Sequence, residues 1–333
     1  MSLTYFVVFL LIIVATDLLI RAIALHVMLP MFEQQLQFQP RFRKMQAHTP
    51  EEHHVKTDDG RRVSVAWYRP LCEQSDRGVV VYCPELGSSH DSVLHYASAL
   101  LRHGFHLLSL DFHDLEGSSP REKHPHHWPT EDQLLRAEAV LHWMRQQPEL
   151  RILPWGLMGI SRGASLGLII AAREQRISAV WAEGPYSLET LSLHHVLRIS
   201  RCFLPIWLMK LIPTWHIKST IRLLRWISGW RLGVRFLETH RWVRALAPRH
   251  VMIVAGQRDT LVPPEVSRHL HHLIGSARCQ FWLVPGARHN ESRLIDSEKY
   301  DQILVEFFNR MNPEPAGTPA SKELSPVALT TLS

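Results

Sequence analysis

Apolar and polar positions alternate along the chain so that short apolar runs are separated by polar, turn-rich stretches. Runs of strand length lie at 79–83 (VVVYC), 152–158 (ILPWGLM), 177–183, 251–256 (VMIVAG) and 281–284. Each is short enough to be a strand buried in a sheet. Helical patterns lie between them. A small-residue, apolar stretch at 164–172 follows the second run, and Leu134, Ala137, Leu141 and Met144 recur at helical spacing before Pro148. That helix has a marked start, because Thr130 and Gln133 form a capping box with Glu131 and Asp132 in the first turn. Strand and helix patterns in alternation predict an α/β domain: a mostly parallel central sheet with helices on both faces.

The first 30 residues follow a different pattern. Residues 3–29 are mostly apolar, and Tyr5–Ala15 is an uninterrupted apolar run. Asp17 and Arg21 interrupt the rest, but they stand four apart, share a helix face and can neutralise each other. Read through that pair, the stretch exceeds the roughly 20 residues that cross a bilayer. A transmembrane anchor over 1–30 is the expectation, with an interfacial helix or a cleaved signal as rivals. Ala22-Ile23-Ala24 fits a cleavage site, but no Lys or Arg precedes the apolar run. Arg41, Arg43 and Lys44 follow the span, which is expected to place a single-pass protein's main domain on the cytoplasmic side.

The length of 333 residues suits one large domain over 50–310 besides the anchor, and the Pro-, Ser- and Thr-rich tail 311–333 is expected to be disordered. The four cysteines show neither metal nor disulfide spacing, and Cys83 and Cys279 read as core residues beside strands. The cluster His124-x-His126-His127 reads as a solvated loop rather than a metal site. No phosphate loop or dinucleotide fingerprint is present, so neither a cofactor nor a metal is expected.

Charge is concentrated in one place. Residues 190–250 carry 11 Lys and Arg against one acid, Glu238, and five of the 11 tryptophans: Trp207, Trp215, Trp226, Trp230 and Trp242. Basic residues mixed with Trp and Leu suit a helical cap at a membrane–water interface, or a lid whose arginines face water. No nucleic-acid module accompanies the charge.

The candidate chemistry lies at strand ends. GISRGAS places Ser161 between Gly159 and Gly163, directly after an apolar run and before a helical stretch. This is the G-x-S-x-G elbow in its strand–turn–helix context. A serine nucleophile needs a base, and the base needs a carboxylate to orient it. Asp259 follows the 251–256 strand, and His289 follows the strand 281–284 and its Pro-Gly turn. Both sit where open α/β sheets place their sites. Glu183, ending the 177–183 strand, is the second-choice acid. The backbone N–H groups of Arg162 and Leu86 are the candidate oxyanion donors. The Arg162 side chain reads as a surface or ion-paired helix residue.

With Ser161, Asp259 and His289 in this order, the chain resembles the α/β-hydrolase superfamily over roughly 50–310. VKTDDGRRVSVAWYRP is similar to the family's opening hairpin, turning at Asp59-Gly60, and HGFHLLSLDFHDLEGSS to its strand-plus-loop motif, with His113 where Arg is common and Glu116 before Gly117. The N-terminal apolar segment is most like that of the signal-anchored branch. Glu85-Leu86-Gly87 departs from the His-Gly common in the family's oxyanion loop, and the 190–250 insertion is long. The resemblance implies a membrane-associated serine hydrolase acting through an acyl-serine on an ester or thioester, lipid or small molecule, with an apolar acyl group. An amide- or peptide-cleaving, aminopeptidase-like enzyme would use the same machinery. A non-catalytic protein binding lipid or a partner is the reading from another class.

Overall fold

The computed structural model describes residues 3–33 and 48–311, save 59, 73–75, 113–126 and 204. Arg41, Arg43, Lys44, Asp59, His113, Glu116, His124, His126 and the tail after Met311 therefore lie outside the described residues.

Eight strands form one sheet: β1 (Glu51–Lys56), β2 (Arg62–Tyr68), β3 (Gly78–Cys83), β4 (Phe105–Asp111), β5 (Trp155–Ile160), β6 (Ile177–Glu183), β7 (His250–Gly256) and β8 (Cys279–Val284). Their spatial order is β1-β2-β4-β3-β5-β6-β7-β8. The first two pairings are antiparallel, and β4 through β8 are parallel. β5 begins later than the apolar run that announced it, since Pro154 has no N–H for a ladder.

The helices are α1 (Leu3–Glu33), α2 (Ser92–Arg102), α3 (Glu131–Gln146), α4 (Pro148–Arg151), α5 (Arg162–Arg173), α6 (Leu188–Phe203), α7 (Ile206–Leu211), α8 (Thr214–Leu232), α9 (Pro264–Ile274), α10 (Ser292–Ile295) and α11 (Ser297–Asn309). The Thr130 capping box forms in full at the start of α3. The central strands are buried on both faces, as crossover helices require. β3 shows the alternation. Val79, Val81 and Cys83 pack toward α3 and α5, whereas Val80 and Tyr82 pack toward α2 and α11. Cys83 and Cys279 are both buried core thiols, and burial pushes each up to about 12.

A third apolar cluster lies outside the sheet. It joins Leu188 and Leu191 of α6, Ile221 and Leu224 of α8, Trp128, Tyr186, Phe236, and Phe32 from α1. α6 and α8 occupy the segment expected as a helical cap, 190–250. α6 starts at Leu188, α8 ends at Leu232, and an extended stretch and short 3₁₀ turns lead back to β7.

α1 is long and apolar enough to cross a membrane. Its two halves differ. Leu3–Thr16 is exposed throughout, whereas the part from Asp17 onward lies along α8. Asp17 and Arg21 do pair (2.8 Å), yet neither serves only the other. Arg21 Nη1 donates to Ser219 (2.8 Å) and Thr220 (3.2 Å), and His216 Nε2 lies 2.7 Å from Asp17 Oδ1. The polar pair inside the apolar helix is therefore its docking point on the cap.

Candidate active site

Ser161 stands between the end of β5 and the first turn of α5, with φ +54° and ψ −114°. A non-glycine residue in this region is strained and must be held from outside. The flanking glycines let the chain close that tightly. A Cβ on Gly163 would run into the carbonyl oxygen of Cys83, and one on Gly159 into that of Gly163. The Ser161 N–H donates to the Glu183 carbonyl at 2.7 Å, tying the elbow to the neighbouring strand.

The three separate loops meet here. Ser161 Oγ lies 2.8 Å from His289 Nε2, and His289 Nδ1 lies 2.6 Å from Asp259 Oδ2. A carboxylate at Nδ1 holds the ring proton there and leaves Nε2 free to accept from the serine hydroxyl. The other oxygen of Asp259 accepts from the N–H groups of Leu261 (2.9 Å) and Val262 (2.8 Å), so the carboxylate is itself oriented. All three side chains are largely buried. A Cβ at Gly184 would crowd His289, which explains the glycine at that turn of φ +62°.

Glu183 occupies a different place. Its carboxylate accepts from Tyr300 Oη (2.8 Å) and the Ser292 N–H (3.3 Å). Burial pushes its carboxyl above the usual carboxylate range. The position beside His289 Nδ1 belongs to Asp259.

Arg162 differs from its expected surface position. It is 1% exposed, and its guanidinium lies 5.9 Å from the Phe112 ring centroid. Burial lowers its pKa. The sequence carried a hint of this, since the helix it opens is apolar on every side. Its backbone N–H opens the first turn of α5, where helix N–H groups point along the axis and away from the helix.

The loop after β3 holds a group whose role the sequence did not reveal. Glu85 is buried and accepts from Ser88 Oγ (2.8 Å), Tyr82 Oη (3.0 Å), Ser92 Oγ (3.4 Å) and Tyr96 Oη (3.4 Å). Burial raises its pKa. This network pins the turn that carries Leu86. The only sequence signal was that Glu85-Leu86-Gly87 stands where His-Gly is common in the family it resembles.

Ser161, His289, Leu86 and Arg162 share a cavity of about 130 Å³ with Trp128, Tyr186, Leu191, Val262 and Met31. His195 of α6 also faces it, and burial lowers its pKa, favouring the neutral ring. His127, the described member of the histidine cluster, lines the same cavity.

No family model matches the chain. Solved structures do match its shape. The Pyrococcus furiosus esterase Pf2001 is 17% identical with a TM-score of 0.56, covering 84% of this chain and 99% of that one. The α/β hydrolase GrgF from a Penicillium species is 17% identical with a TM-score of 0.54, over 79% of this chain and 99% of its own. The chain has the α/β-hydrolase fold. Est1E from Butyrivibrio proteoclasticus matches as well, at 14% identity and a TM-score of 0.52, over 77% of this chain and 98% of that one. At such identities the likeness concerns the fold, and function has to be argued from the site.

Proposed function

We propose that the protein is a membrane-associated serine hydrolase that cleaves a carboxylic ester or thioester with an apolar acyl group. One observation carries this reading: the continuous hydrogen-bonded relay from Ser161 through His289 to Asp259, built on a strained elbow. His289 Nε2 takes the hydroxyl proton as Ser161 Oγ attacks the carbonyl carbon. The oxyanion that forms is held by the N–H groups of Leu86 and Arg162. The bond to the alcohol or thiol breaks, and the leaving group departs with the proton from His289. Water then attacks the acyl-serine with the same base, releasing the acid and restoring Ser161.

The apolar lining of the cavity supports an apolar acyl group. A non-catalytic binding protein has no use for a serine held in strain against a buried histidine. Membrane association is supported by two surfaces. Leu3–Thr16 is about 21 Å long at 1.5 Å per residue, and reaches through much of a hydrocarbon core of roughly 30 Å. On α8, Trp215 (65% exposed), Trp226 (68%) and Trp230 (76%) fall within about 60° of arc. Indoles favour headgroup depth. Arg41, Arg43 and Lys44 after α1 favour a cytoplasmic catalytic domain.

A fluorophosphonate probe tests the central claim. Wild-type protein is expected to label at one site and to hydrolyse a short soluble ester, and Ser161→Ala is expected to lose both. Labelling that survives Ser161→Ala would remove the serine from its assigned role.

A further inference from the structure

The cavity at Ser161 is not enclosed by the sheet domain and cap alone. Met31, in the last turn of α1, is part of its lining beside Leu86 and Trp128. That turn is fixed in place. Phe32 is 7% exposed, stacks on Trp128 with centroids 5.0 Å apart, and meets Phe236 edge-on at 5.6 Å. Trp128 Nε1 donates to the Phe32 carbonyl at 3.3 Å, and Glu33 pairs with Arg231 at 3.5 Å. Further up the helix, Arg21 is hydrogen-bonded to Ser219 and Thr220 of α8. The helix is thus clamped at two points, and its end is held at the mouth of the cavity. Met31 itself is 49% exposed, so it sits at the rim rather than inside a packed cluster.

We infer that the last turn of α1 is a wall of the acyl-binding cavity and that Met31 sets the length of acyl chain the site accepts. The inference rests on the hydrolase reading above. Three observations carry it. The cavity, at about 130 Å³, is well below the few hundred Å³ that drug-sized ligands need. The residue closing its rim belongs to α1, whose first half, Leu3–Thr16, is exposed throughout. And the aromatic clamp on Phe32 keeps that rim from swinging away with the free half of α1. A methionine is suited to such a position, because its unbranched thioether fills irregular space. The same helix that tethers the protein therefore selects its substrate.

The test uses the full-length chain in detergent with p-nitrophenyl esters from acetate to dodecanoate, and reads kcat/KM across the series. Wild type is expected to favour the short chains. Met31→Ala should raise the decanoate-to-butyrate ratio by at least about threefold, since methylene-sized changes in an apolar pocket discriminate by tenfold or more. Met31→Trp should lower it by a similar factor. Leu11→Ala, on the exposed half of α1, should keep the wild-type ratio. Fluorophosphonate labelling of Ser161 counts competent sites in each sample, so a poorly folded variant is not misread as a selective one. Met31 variants with an unchanged ratio, or a wild type that prefers dodecanoate, overturn the wall while the hydrolase reading stands. A wild type that neither labels nor cleaves any ester overturns both.

Discussion

Ser161 and His289 lie 128 positions apart in the chain, yet their side chains are in hydrogen-bond contact, and the identity of the third partner decides the chemistry. Asp259→Asn offers the histidine an amide that favours the wrong tautomer, and is expected to lower kcat on a soluble ester by about 10⁴. Glu183→Gln should leave kcat within a few-fold of wild type, since its carboxylate serves Tyr300 and Ser292. Similar losses in both variants would show that the acid role is shared. Glu183 matters to stability instead. Burial raises its pKa, so the folded state keeps a proton that the unfolded chain has already released. The folded state then binds more protons than the unfolded, and stability falls as pH rises from the ordinary carboxylate range toward the raised value. Thermal unfolding should therefore find Glu183→Gln close to wild type near about pH 4 and more stable near about pH 8. An equal difference at both pH values would mean that the carboxyl titrates normally.

At the scale of elements, α8 has a division of labour that its helical period explains. Ile221, Leu224 and Ser228 face inward, His216, Ser219 and Thr220 meet α1, and the three tryptophans stand outward. The cap's basic side chains are less available than a count implies. Lys218 and Arg222 pair with Glu189, Arg225 with Glu238, Arg231 with Glu33, and Arg235 with Glu131. Three of those four acids come from outside the 190–250 segment. Exposed pairs contribute little to stability, at about 0–1 kcal/mol each. They do reduce the charge offered to a lipid surface. Tryptophan rather than arginine is accordingly the expected membrane contact. Replacing Trp215, Trp226 and Trp230 together by Ala should weaken vesicle binding by about tenfold or more, given the apolar area withdrawn. The melting temperature should hardly move, because these side chains are exposed. Sedimentation with vesicles, alongside a thermal melt, checks both halves; undiminished binding would remove the Trp face as a lipid contact.

For the whole molecule, the arrangement couples α1 to the rest of the fold. Removing residues 1–33 would uncover the Trp128 and Phe236 faces that Phe32 covers. The shortened chain is expected to melt at a lower temperature than the full chain. Without Asp17, Arg21 and Glu33 its net charge rises from the full chain's +6 to +7, so it should still bind anionic vesicles at low ionic strength. That binding should fade with salt, as the Debye length shrinks from about 10 Å at 0.1 M toward 3 Å at 1 M. An unchanged melting temperature would show that α1 is not part of the folded domain. Binding that ignores salt would assign the membrane contact to apolar surface alone.

Much of this protein was written locally. Strand length, helical period and the capping box at Thr130 depend on neighbours within a few residues, so the α/β order could be read from the chain directly. The elbow was legible for the same reason: two glycines around Ser161 are a steric requirement of one turn. The order of Ser161, Asp259 and His289 after β5, β7 and β8 was legible because a parallel sheet brings its strand ends to one edge. What the sequence left open depends on contacts between distant segments. The distances of His289 to Asp259 and of Tyr300 to Glu183 separated two carboxylates that both end strands. Packing under the 80s loop buried Glu85, and the apolar ring around α5 buried Arg162. Asp17 and Arg21 looked like a self-neutralising pair in a membrane helix, and only their bonds to α8 showed a docking point. The same docking brought Met31 to the cavity of a serine 130 positions away, because proximity there follows from where two helices pack and not from the order of residues.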